Sequence, residues 1–377
     1  MHVLIAPNAF KNSLTADEAA NAIRRGLARS RLKAGVEIFP VGDGGDGTGD
    51  LLIQRLGGRR IFAKARDPLG RTIEPYFGLT GSGTAIIEMA NASGLRLLDR
   101  KELNPLRTNS AGTGDLIRAA LDHGAKRIII GMGGSATVDG GTGILQALGA
   151  RFINGNGQVL NELPAQLPEL ASVDLSGLDP RLVTTELIVL CDVTNPLTGP
   201  RGAAAVFGPQ KGADPATVRR LEAALYQFSQ VILRQTGIDP GAIPRTGTAG
   251  GAAAGLHGFL QATLVSGIDY FLAITNFDEA LDRNTHVITG EGSIDEQTLQ
   301  GKAPFGVAAH AKAKGLRVIA LTGRLPADTT ALKPWFDELI CINPRYMPRS
   351  EALANTAANL ERSAMEWGEL NAPAPKA

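Results

Sequence analysis

The hydrophobic pattern at the start of the chain alternates between short apolar runs and a segment with helical spacing. The runs HVLIAP and GVEIFPV predict two strands, and TADEAANAIRRGLARSR between them predicts a helix that begins with a Thr15–Glu18 capping box. The end of the chain repeats the alternation, with predicted strands THVITG, LRVIALTG and ELICIN, a helix over residues 304–314 and a closing helix from residue 349. Both ends therefore predict βα units, which form parallel sheets with helices on both faces.

Neither end of the chain has enough strands for an ordinary sheet. Two strands from its beginning and three from its end make five, the number in a flavodoxin-like, doubly wound parallel sheet. We therefore expect an α/β protein of two domains: a discontinuous domain of residues 1–65 with 280–377, and a second α/β domain, residues 66–279, inserted into it. The inserted region has its own predicted strands and helices, GTAIIEMA, AKRIIIGMG, ELIVLCD, GTGDLIRAALDHG and GTGILQALG.

Two segments of the inserted region need separate predictions. Residues 252–274 form the longest apolar run, but His257, Gln261, Asp269 and several glycines interrupt it, so the pattern favours a buried helix over a membrane span. Residues 161–180 are rich in proline and lack a period, which predicts a surface connection.

The charges of the chain nearly cancel. Lys and Arg total 38 against 37 for Asp and Glu, so no overall field would draw the chain to nucleic acid or to an anionic membrane. We expect neither partner, and any anionic ligand must be held by local groups. Cys191 and Cys341 lie in apolar runs and are expected to be buried. The N-terminal apolar run is too short for a signal peptide, which favours a cytoplasmic location.

The segment GMGGSATVDGGTG, residues 131–143, lies between a predicted strand and a predicted helix. Bare backbone at Gly133 and Gly134, the hydroxyls of Ser135 and Thr137, and the dipole of the following helix favour binding of a phosphate or carboxylate. The alternative is a tight turn that packing requires. A Walker loop is excluded, because the sequence contains no G-x-x-x-x-G-K-[ST].

The segment GDGGDG, residues 42–47, matches the dinucleotide pattern G-x-G-x-x-G only in its letters. Asp43 and Asp46 would meet a pyrophosphate with two negative charges, so we reject an NAD site. Because the segment follows a predicted strand, its aspartates could instead hold Mg2+ or a hydroxyl group. Ordinary turn chemistry explains the same residues equally well.

Three further loops follow predicted strands and carry acids, amides, hydroxyls and lysines. Their candidate residues are Asn8, Lys11 and Ser13; Asp192, Asn195 and Lys211; and Glu291, Asp295 and Lys302. Each of these residues taken alone is compatible with an ordinary surface position. Glycine-rich loops with acids and lysines after several strands together favour a binding or catalytic site at the carboxyl ends of the strands.

These loops resemble the signature segments of the bacterial class I glycerate kinases. The similar segments, in the same order, are APNAFKNSLTADEAA, PVGDGGDGT, GMGGSATVDGGTGILQALGA, CDVTNPLTGPRGAAAVFGPQKGA and TGEGSIDEQTLQGKAPFGVA. The sequence departs from the family pattern at Asn8 and Ala9, where Asp and Ser are frequent, at Asp46, where Glu is common, and at Val138, where Asn is common. The resemblance implies ATP-dependent phosphorylation of D-glycerate, most often to 2-phosphoglycerate, by a two-domain fold.

Phosphoryl transfer depends on positioned charge more than on covalent chemistry. Mg2+ should bridge the nucleotide phosphates, and a carboxylate must accept the proton of the attacking hydroxyl, because these loops contain no histidine. We favour Asp192 as this base, with Asp295 directed to the metal. The remaining predicted roles are charge partners, Lys11 and Lys302; nucleotide-binding residues, Gly133, Gly134, Ser135, Thr137 and Glu291; substrate-binding residues, Asn8, Ser13 and Asn195; and magnesium-directed residues, Asp43, Asp46 and Asp295.

Other functions are compatible with the same loops. The product could be 3-phosphoglycerate, or the acceptor another small hydroxy acid. A nucleotide- or metabolite-sensing module could use the loops without catalysis, although pure anion binding does not require aspartates at the site. The expected partners are D-glycerate and ATP, and the sequence leaves both a monomer and a homodimer open.

Overall fold

The computed structural model describes residues 1–344 and 347–373. Its strands are β1 (His2–Pro7), β2 (Gly35–Ile38), β3 (Arg59–Phe62), β4 (Ala65–Arg66), β5 (Thr72–Ile73), β6 (Tyr76–Leu79), β7 (Thr84–Glu88), β8 (Arg127–Gly131), β9 (Arg151–Asn154), β10 (Leu170–Asp174), β11 (Glu186–Cys191), β12 (Thr263–Ser266), β13 (His286–Glu291), β14 (Arg317–Thr322) and β15 (Glu338–Cys341). Its helices are α1 (Ala16–Arg29), α2 (Thr48–Arg55), α3 (Met89–Ser93), α4 (Ala111–Asp122), α5 (Thr142–Ala147), α6 (Ala203–Phe207), α7 (Pro215–Thr236), α8 (Ala252–Leu260), α9 (Gly267–Ile274), α10 (Phe277–Asp282), α11 (Ala303–Ala313), α12 (Arg349–Ala354) and α13 (Thr356–Leu370).

The first compact unit contains both ends of the chain, residues 1–43 and 268–377. Its five strands pair in the order β2-β1-β13-β14-β15, and every neighbouring pair is parallel. This order is the flavodoxin-like one, so the predicted sheet built from both chain ends is confirmed. The three central strands are buried on both faces, as parallel sheets require. Their apolar side chains pack with α1 and with Trp367 of α13.

The direction of strand addition reverses between β1 and β13. The chain passes from β1 to β2 on one side, and from β13 to β14 and β15 on the other. Open α/β sheets bind ligands in the crevice outside the carboxyl ends of the strands at such a point. Asn8 follows β1, Glu291 ends β13, and Asn8 N donates to Gly290 O at 2.8 Å. The fold therefore brings two of the predicted site residues to this crevice.

The second compact unit is residues 44–267. Its six-stranded sheet has the order β12-β11-β8-β7-β6-β3. The first four strands are mutually parallel, β6 is antiparallel to β7, and β3 is antiparallel to β6. Glu88, Gly131 and Cys191 end the three adjacent strands β7, β8 and β11. The loops that follow these strands, including the glycine-rich loop of residues 131–143, therefore leave the same edge of the sheet.

The prediction of one buried helix over residues 252–274 was wrong. Helix α8 ends at Leu260, and its C-cap residue Gln261 adopts a left-handed φ of 55°. Strand β12 then pairs with β11 before α9 begins. The interruptions in the apolar run thus mark a helix–strand–helix unit. No helix within the described ranges is both long and apolar enough to span a membrane.

The prediction of a surface connection over residues 161–180 was also wrong. Leu163, Leu167, Leu170 and Val173 are buried in an apolar cluster with side chains of α7. Leu170 begins β10, which pairs antiparallel with β9. Prolines obscured these buried positions because they interrupt any regular hydrophobic period. Of the two cysteines that were expected to be buried, Cys191 is buried and Cys341 is exposed.

The compact units differ from the predicted domains at residues 44–65 and 268–279. Strand β3 pairs with β6 of the second sheet, which explains why residues after 43 join the second unit. Ile268 packs against Gly306 of α11, where an added Cβ would lie 2.5 Å from Ile268 Cγ1. The limits 1–65 with 280–377 and 66–279 stay a prediction for independently folding domains. Residues 345–346 and 374–377 of the first predicted domain lie outside the described residues.

Candidate active site

Asn8 and Asp43 form a buried polar pair at the carboxyl edge of the first sheet. Asn8 Nδ2 donates to Asp43 Oδ2 at 3.1 Å, and Asn8 Oδ1 accepts from Ala9 N at 2.8 Å. An aspartate at residue 8 would bring a second negative charge to Asp43, whereas the amide supplies a donor. The asparagine that departs from the family pattern therefore supplies a hydrogen-bond donor to the Asp43 side chain.

Glu291 is a buried carboxyl group, 9% exposed, beside two lysines. Burial raises its pKa to about 7, whereas the positive charge of Lys302 and then that of Lys11 lower it; the negative charge of Asp43 raises it further. Thr298 Oγ1 donates to Glu291 Oε1 at 3.3 Å. The structure thus brings together four predicted residues, Lys11, Asp43, Glu291 and Lys302, within electrostatic reach.

The side chains of three predicted site residues, Ser13, Asp295 and Asn195, form hydrogen bonds with backbone groups of the protein. Ser13 Oγ donates to Leu353 O at 2.6 Å, which uses its only hydroxyl proton. Asp295 Oδ1 accepts from Gln297 N at 2.9 Å and caps a short 3-10 helix. In the second unit, Asn195 Nδ2 donates to Arg201 O at 2.7 Å. These contacts fix the loops, and the roles predicted for the three side chains remain predictions.

The first glycines of the glycine-rich loop pack against a neighbouring loop. Gly133 N donates to Gly44 O at 2.9 Å. A Cβ atom at Gly133 would lie 2.4 Å from Gly45 Cα, and one at Gly134 would lie 2.2 Å from Asp46 Oδ1. Gly134 also has a left-handed φ of 70°. Close loop packing therefore requires glycine at both positions, and it places the exposed Asp46 beside the loop tip.

Asp139 supplies the negative charge at the start of α5. Its fully buried carboxylate accepts hydrogen bonds from Ser110 N (2.8 Å), Ser110 Oγ (2.7 Å), Gly141 N (3.1 Å) and Gly143 N (3.2 Å). The helix dipole thus stabilises a charge of the chain itself. Donors for an external anion must come from the earlier part of the loop, at Ser135 and Thr137.

Replacing Asp139 by alanine is expected to lower the free energy of unfolding by about 3 kcal/mol, because four buried donors lose their acceptor. Chemical denaturation at neutral pH measures the loss. Asp139→Asn keeps one acceptor oxygen and should lose less. Equal stability of wild type and Asp139→Ala would show that water replaces the carboxylate without cost.

Lys211 is buried beneath the glycine-rich loop, with 2% exposure. Its Nζ donates to Ser135 Oγ at 2.8 Å and to Thr137 O at 2.7 Å. Burial lowers the pKa of Lys211 to about 7, and the negative charges of Asp139 and Asp192 act in the opposite direction. Asp192 is half-buried directly after β11. The loops after β8 and β11 are therefore coupled through this lysine.

Glu88 is a second buried carboxyl group at the end of a strand. Its Oε1 accepts from Gly49 N of α2 at 2.8 Å. Burial raises the pKa of Glu88 to about 7, the bond from Gly49 lowers it, and the negative charges of Asp46 and Asp50 raise it. Glu88 thus holds the start of α2, which follows the loop that carries Asp46.

Replacing Glu88 by glutamine is expected to change stability in a pH-dependent way. A carboxyl group whose pKa is higher in the folded than in the unfolded protein loses stability as the pH rises from about 4.5 to about 7. Glu88→Gln removes this loss, so its stability relative to wild type should rise by roughly 2 kcal/mol between pH 5 and pH 8. Denaturation at both pH values tests this, with Glu162→Gln at an exposed acid as the control. A pH-independent difference would contradict the expected titration.

Comparison with known proteins places the chain in a family. Residues 3–371 match the sequence model of the Glycerate kinase family. The chain belongs to this family. It is 44% identical to a glycerate kinase of Bacillus subtilis over 368 residues, which cover 97% of the chain and 96% of that protein. It is 45% identical to a glycerate 2-kinase of Escherichia coli K12, with 87% and 86% covered.

A solved structure supports the same assignment. The crystal structure described as glycerate kinase 2 from Salmonella typhimurium LT2 superposes with a TM-score of 0.82 at 41% identity, covering 98% of each chain. The resemblance inferred from the five sequence segments is therefore confirmed, and the chain is an enzyme of the glycerate kinase kind. This result removes the non-enzymatic sensing module as an interpretation.

The sequence analysis did not identify Glu88 as a candidate site residue. It named Lys211 among the loop candidates but assigned it no role. Glu88 ends the apolar run GTAIIE just as Glu291 ends its strand, and that shared position was an available signal. The burial of Lys211 had only the weak signal of flanking glycines in GPQKGA. No group of three or more His, Cys, Asp or Glu arranged to hold a metal ion occurs in residues 1–344 and 347–373.

Proposed function

We propose that this member of the glycerate kinase family transfers the γ-phosphoryl group of ATP to D-glycerate and forms 2-phosphoglycerate. The observation that carries the proposal is the placement of Glu291, Lys11 and Lys302 at the switch point of the first sheet. Two lysines lie within electrostatic reach of the Glu291 carboxyl group, and their positive charges can also meet an anionic substrate. The names of the relatives from Bacillus subtilis and Escherichia coli support the choice of acceptor.

The glycine-rich loop is suited to the phosphates of ATP. Phosphate oxygens only accept hydrogen bonds, so the loop must offer donors. Ser135 Oγ accepts from Lys211 and therefore keeps its own O–H for another acceptor. We assign the hydroxyls of Ser135 and Thr137 and the backbone of Gly134 to nucleotide binding. The Gly133 N–H already donates to Gly44 O, so the contribution of Gly133 to the nucleotide site is to let the loop pack closely. We also keep Glu291 on the nucleotide side, where its carboxyl group would accept from ligand hydroxyls.

Magnesium, when bound, neutralises charge on the nucleotide phosphates. It is usually held by one or two carboxylates together with phosphates and water, so a cage of three protein acids is not required. The exposed carboxylate of Asp46 beside Gly134 fits this use. Asp43 accepts a hydrogen bond from Asn8, and Asp295 accepts one from Gln297 N. We keep both as magnesium-directed residues, because a carboxylate oxygen can accept a hydrogen bond and also contact a cation.

Asp192 is the proposed acceptor of the glycerate hydroxyl proton. It directly follows a buried strand, as a general base positioned by a rigid element should. Lys11 and Lys302 would neutralise the glycerate carboxylate or the transferring phosphate. Asn8, Ser13 and Asn195 would shape the substrate loops, because their side chains are hydrogen-bonded to Asp43, Leu353 and Arg201, respectively.

A phosphoryl-transfer assay with purified protein, ATP and Mg2+ tests the function across a panel of small hydroxy acids. We expect D-glycerate to be the preferred acceptor. Phosphorus NMR identifies the position, because a phosphate on carbon 2 couples to one proton and a phosphate on carbon 3 couples to two. A two-proton pattern would establish 3-phosphoglycerate instead. Transfer to another hydroxy acid but not to D-glycerate would overturn the proposed substrate.

We further propose that the enzyme works in the cytoplasm. Cys191 and Cys341 are both free thiols, which suits a reducing compartment. Light scattering of the purified protein distinguishes the monomer from the homodimer.

A further inference from the structure

Lys211 is a charged side chain enclosed by the second unit. It ends the short 3-10 helix Pro209–Lys211, and only 2% of it is exposed. Lysine is almost never fully buried unless it is paired, because removing the ammonium group from water is costly. Its two hydrogen bonds both go to the glycine-rich loop, to Ser135 Oγ and Thr137 O. A buried cation is therefore fixed directly beneath a loop proposed to bind phosphate.

The direction of the Lys211–Ser135 hydrogen bond constrains the serine. Lys211 Nζ donates to Ser135 Oγ, and when Lys211 is protonated its ammonium group can only donate, so Ser135 Oγ is then the acceptor. The single hydroxyl proton of Ser135 then has to point to a different acceptor. Lys211 thus selects the hydroxyl orientation in which Ser135 serves as a donor.

The hydroxyl group of Thr137 is a second, independent observation at this loop. Its side chain is fully buried, and within the part of the chain that the structure describes its Oγ1 has no hydrogen-bond partner. A buried hydroxyl without a partner is destabilising, so such groups usually meet a ligand or an ordered water. Thr137 O is bonded to the same lysine that holds Ser135, which ties both residues to one cation.

Burial and two nearby acids act on the charge of Lys211. Asp139, from the loop before α5, and Asp192, from the end of β11, are the acids that influence Lys211. The Asp139 carboxylate already receives four hydrogen bonds from other groups. Burial lowers the pKa of Lys211 to about 7, and a bound phosphate would favour the protonated amine again.

We propose that Lys211 is a positioning residue that orients the Ser135 hydroxyl, and that the hydroxyls of Ser135 and Thr137 donate to phosphate oxygens of ATP. This inference rests on the proposed function, in which ATP is the phosphoryl donor. It assigns the buried lysine to nucleotide affinity and separates it from binding of the hydroxy acid.

Titration calorimetry with ATP and Mg2+, in the absence of glycerate, tests the role of Lys211. Lys211→Met and Ser135→Ala should each weaken ATP binding about tenfold, and the double variant should bind no more weakly than Lys211→Met, because the lysine acts through the serine. KM for ATP should rise, with KM for D-glycerate unchanged. The exposed Lys126→Met is the matched control. Additive losses, or a folded Lys211→Met with wild-type ATP affinity, would overturn the positioning role.

Thr137→Val provides a second test that does not depend on the stability of the lysine variant. Removing an unpartnered buried hydroxyl should keep or raise the Tm of the protein without ATP, whereas ATP binding should weaken about fivefold. Unchanged ATP affinity together with a raised or unaltered Tm would exclude a phosphate contact, and a lowered Tm would indicate a structural water as the partner.

The two proposals fail in different ways. ATP binding that weakens as described, without transfer to D-glycerate, would refute only the proposed substrate. Normal transfer with unaffected Lys211, Ser135 and Thr137 variants would refute only this inference. Wild-type protein that binds no ATP would refute both.

Discussion

Asp192→Asn is expected to lower kcat by a factor of ~10² or more, with little change in the dissociation constant for ATP. Asparagine has nearly the shape of aspartate but cannot accept the proton of the glycerate hydroxyl. Asp192 follows the buried strand β11 directly, so the backbone that holds it should not move. Steady-state kinetics with saturating ATP and D-glycerate, together with calorimetry for ATP, measure the two quantities separately.

Asp295→Asn is the matched comparison for this prediction. Asp295 belongs to the other compact unit and also follows an apolar strand. We expect its variant to require more Mg2+ for half-maximal activity, since we direct Asp295 to the metal. If instead Asp295→Asn strongly lowers kcat and Asp192→Asn raises the Mg2+ requirement, Asp295 is the base and Asp192 is the metal-directed residue. Full activity of Asp192→Asn would remove it as the base.

The flavodoxin-like sheet could be predicted from the sequence because its signals are local. The runs HVLIAP, THVITG and LRVIALTG are uninterrupted, and each became a strand of the parallel sheet. Counting strands at both ends was enough to join them into one sheet, since neither end could form one alone. Because THVITG was predicted to be one of these strands, Glu291, which directly follows that run, was predicted at the carboxyl edge of the sheet.

The details of the second unit could not be predicted, because they depend on contacts between distant residues. Gly133 and Gly134 must be glycine since the loop of Gly45 and Asp46 packs on them. From the sequence alone, glycines that pack against another loop cannot be distinguished from glycines that let the backbone approach a phosphate. The partner loop lies almost ninety residues away, and no periodicity reports such a contact.

The buried charges were hidden for a related reason. Glu88 and Lys211 are ordinary loop or strand-end residues in the sequence, and only the fold encloses them. Lys211 reaches Ser135 across 76 positions of the chain. The sequence showed that several lysines were available, but only the fold shows that Lys211 is the lysine that donates to the glycine-rich loop.

Lys302→Met is expected to lower kcat/KM about tenfold or more, a loss of ~1.4 kcal/mol in transition-state stabilisation. Methionine keeps most of the side-chain stem and removes the positive charge. After burial, that charge is the largest influence on the Glu291 carboxyl group, and it lowers the pKa of Glu291. Removing it should raise this pKa above about 7, so the acidic limb of the pH–activity profile should move to higher pH if ionised Glu291 is required.

The stability of the same variant tests the charge pairing without reference to catalysis. At pH 5 Glu291, with a pKa of about 7, is protonated, so loss of Lys302 should change the free energy of unfolding little. At pH 8 Glu291 is ionised and loses its main counter-charge, so Lys302→Met should be more destabilised relative to wild type. Lys11→Met should show a smaller pH-dependent destabilisation, because Lys11 influences Glu291 less than Lys302 does. Lys33→Met, at an exposed lysine, should show none. Equal destabilisation at both pH values in Lys302→Met would mean that Lys302 does not act through Glu291.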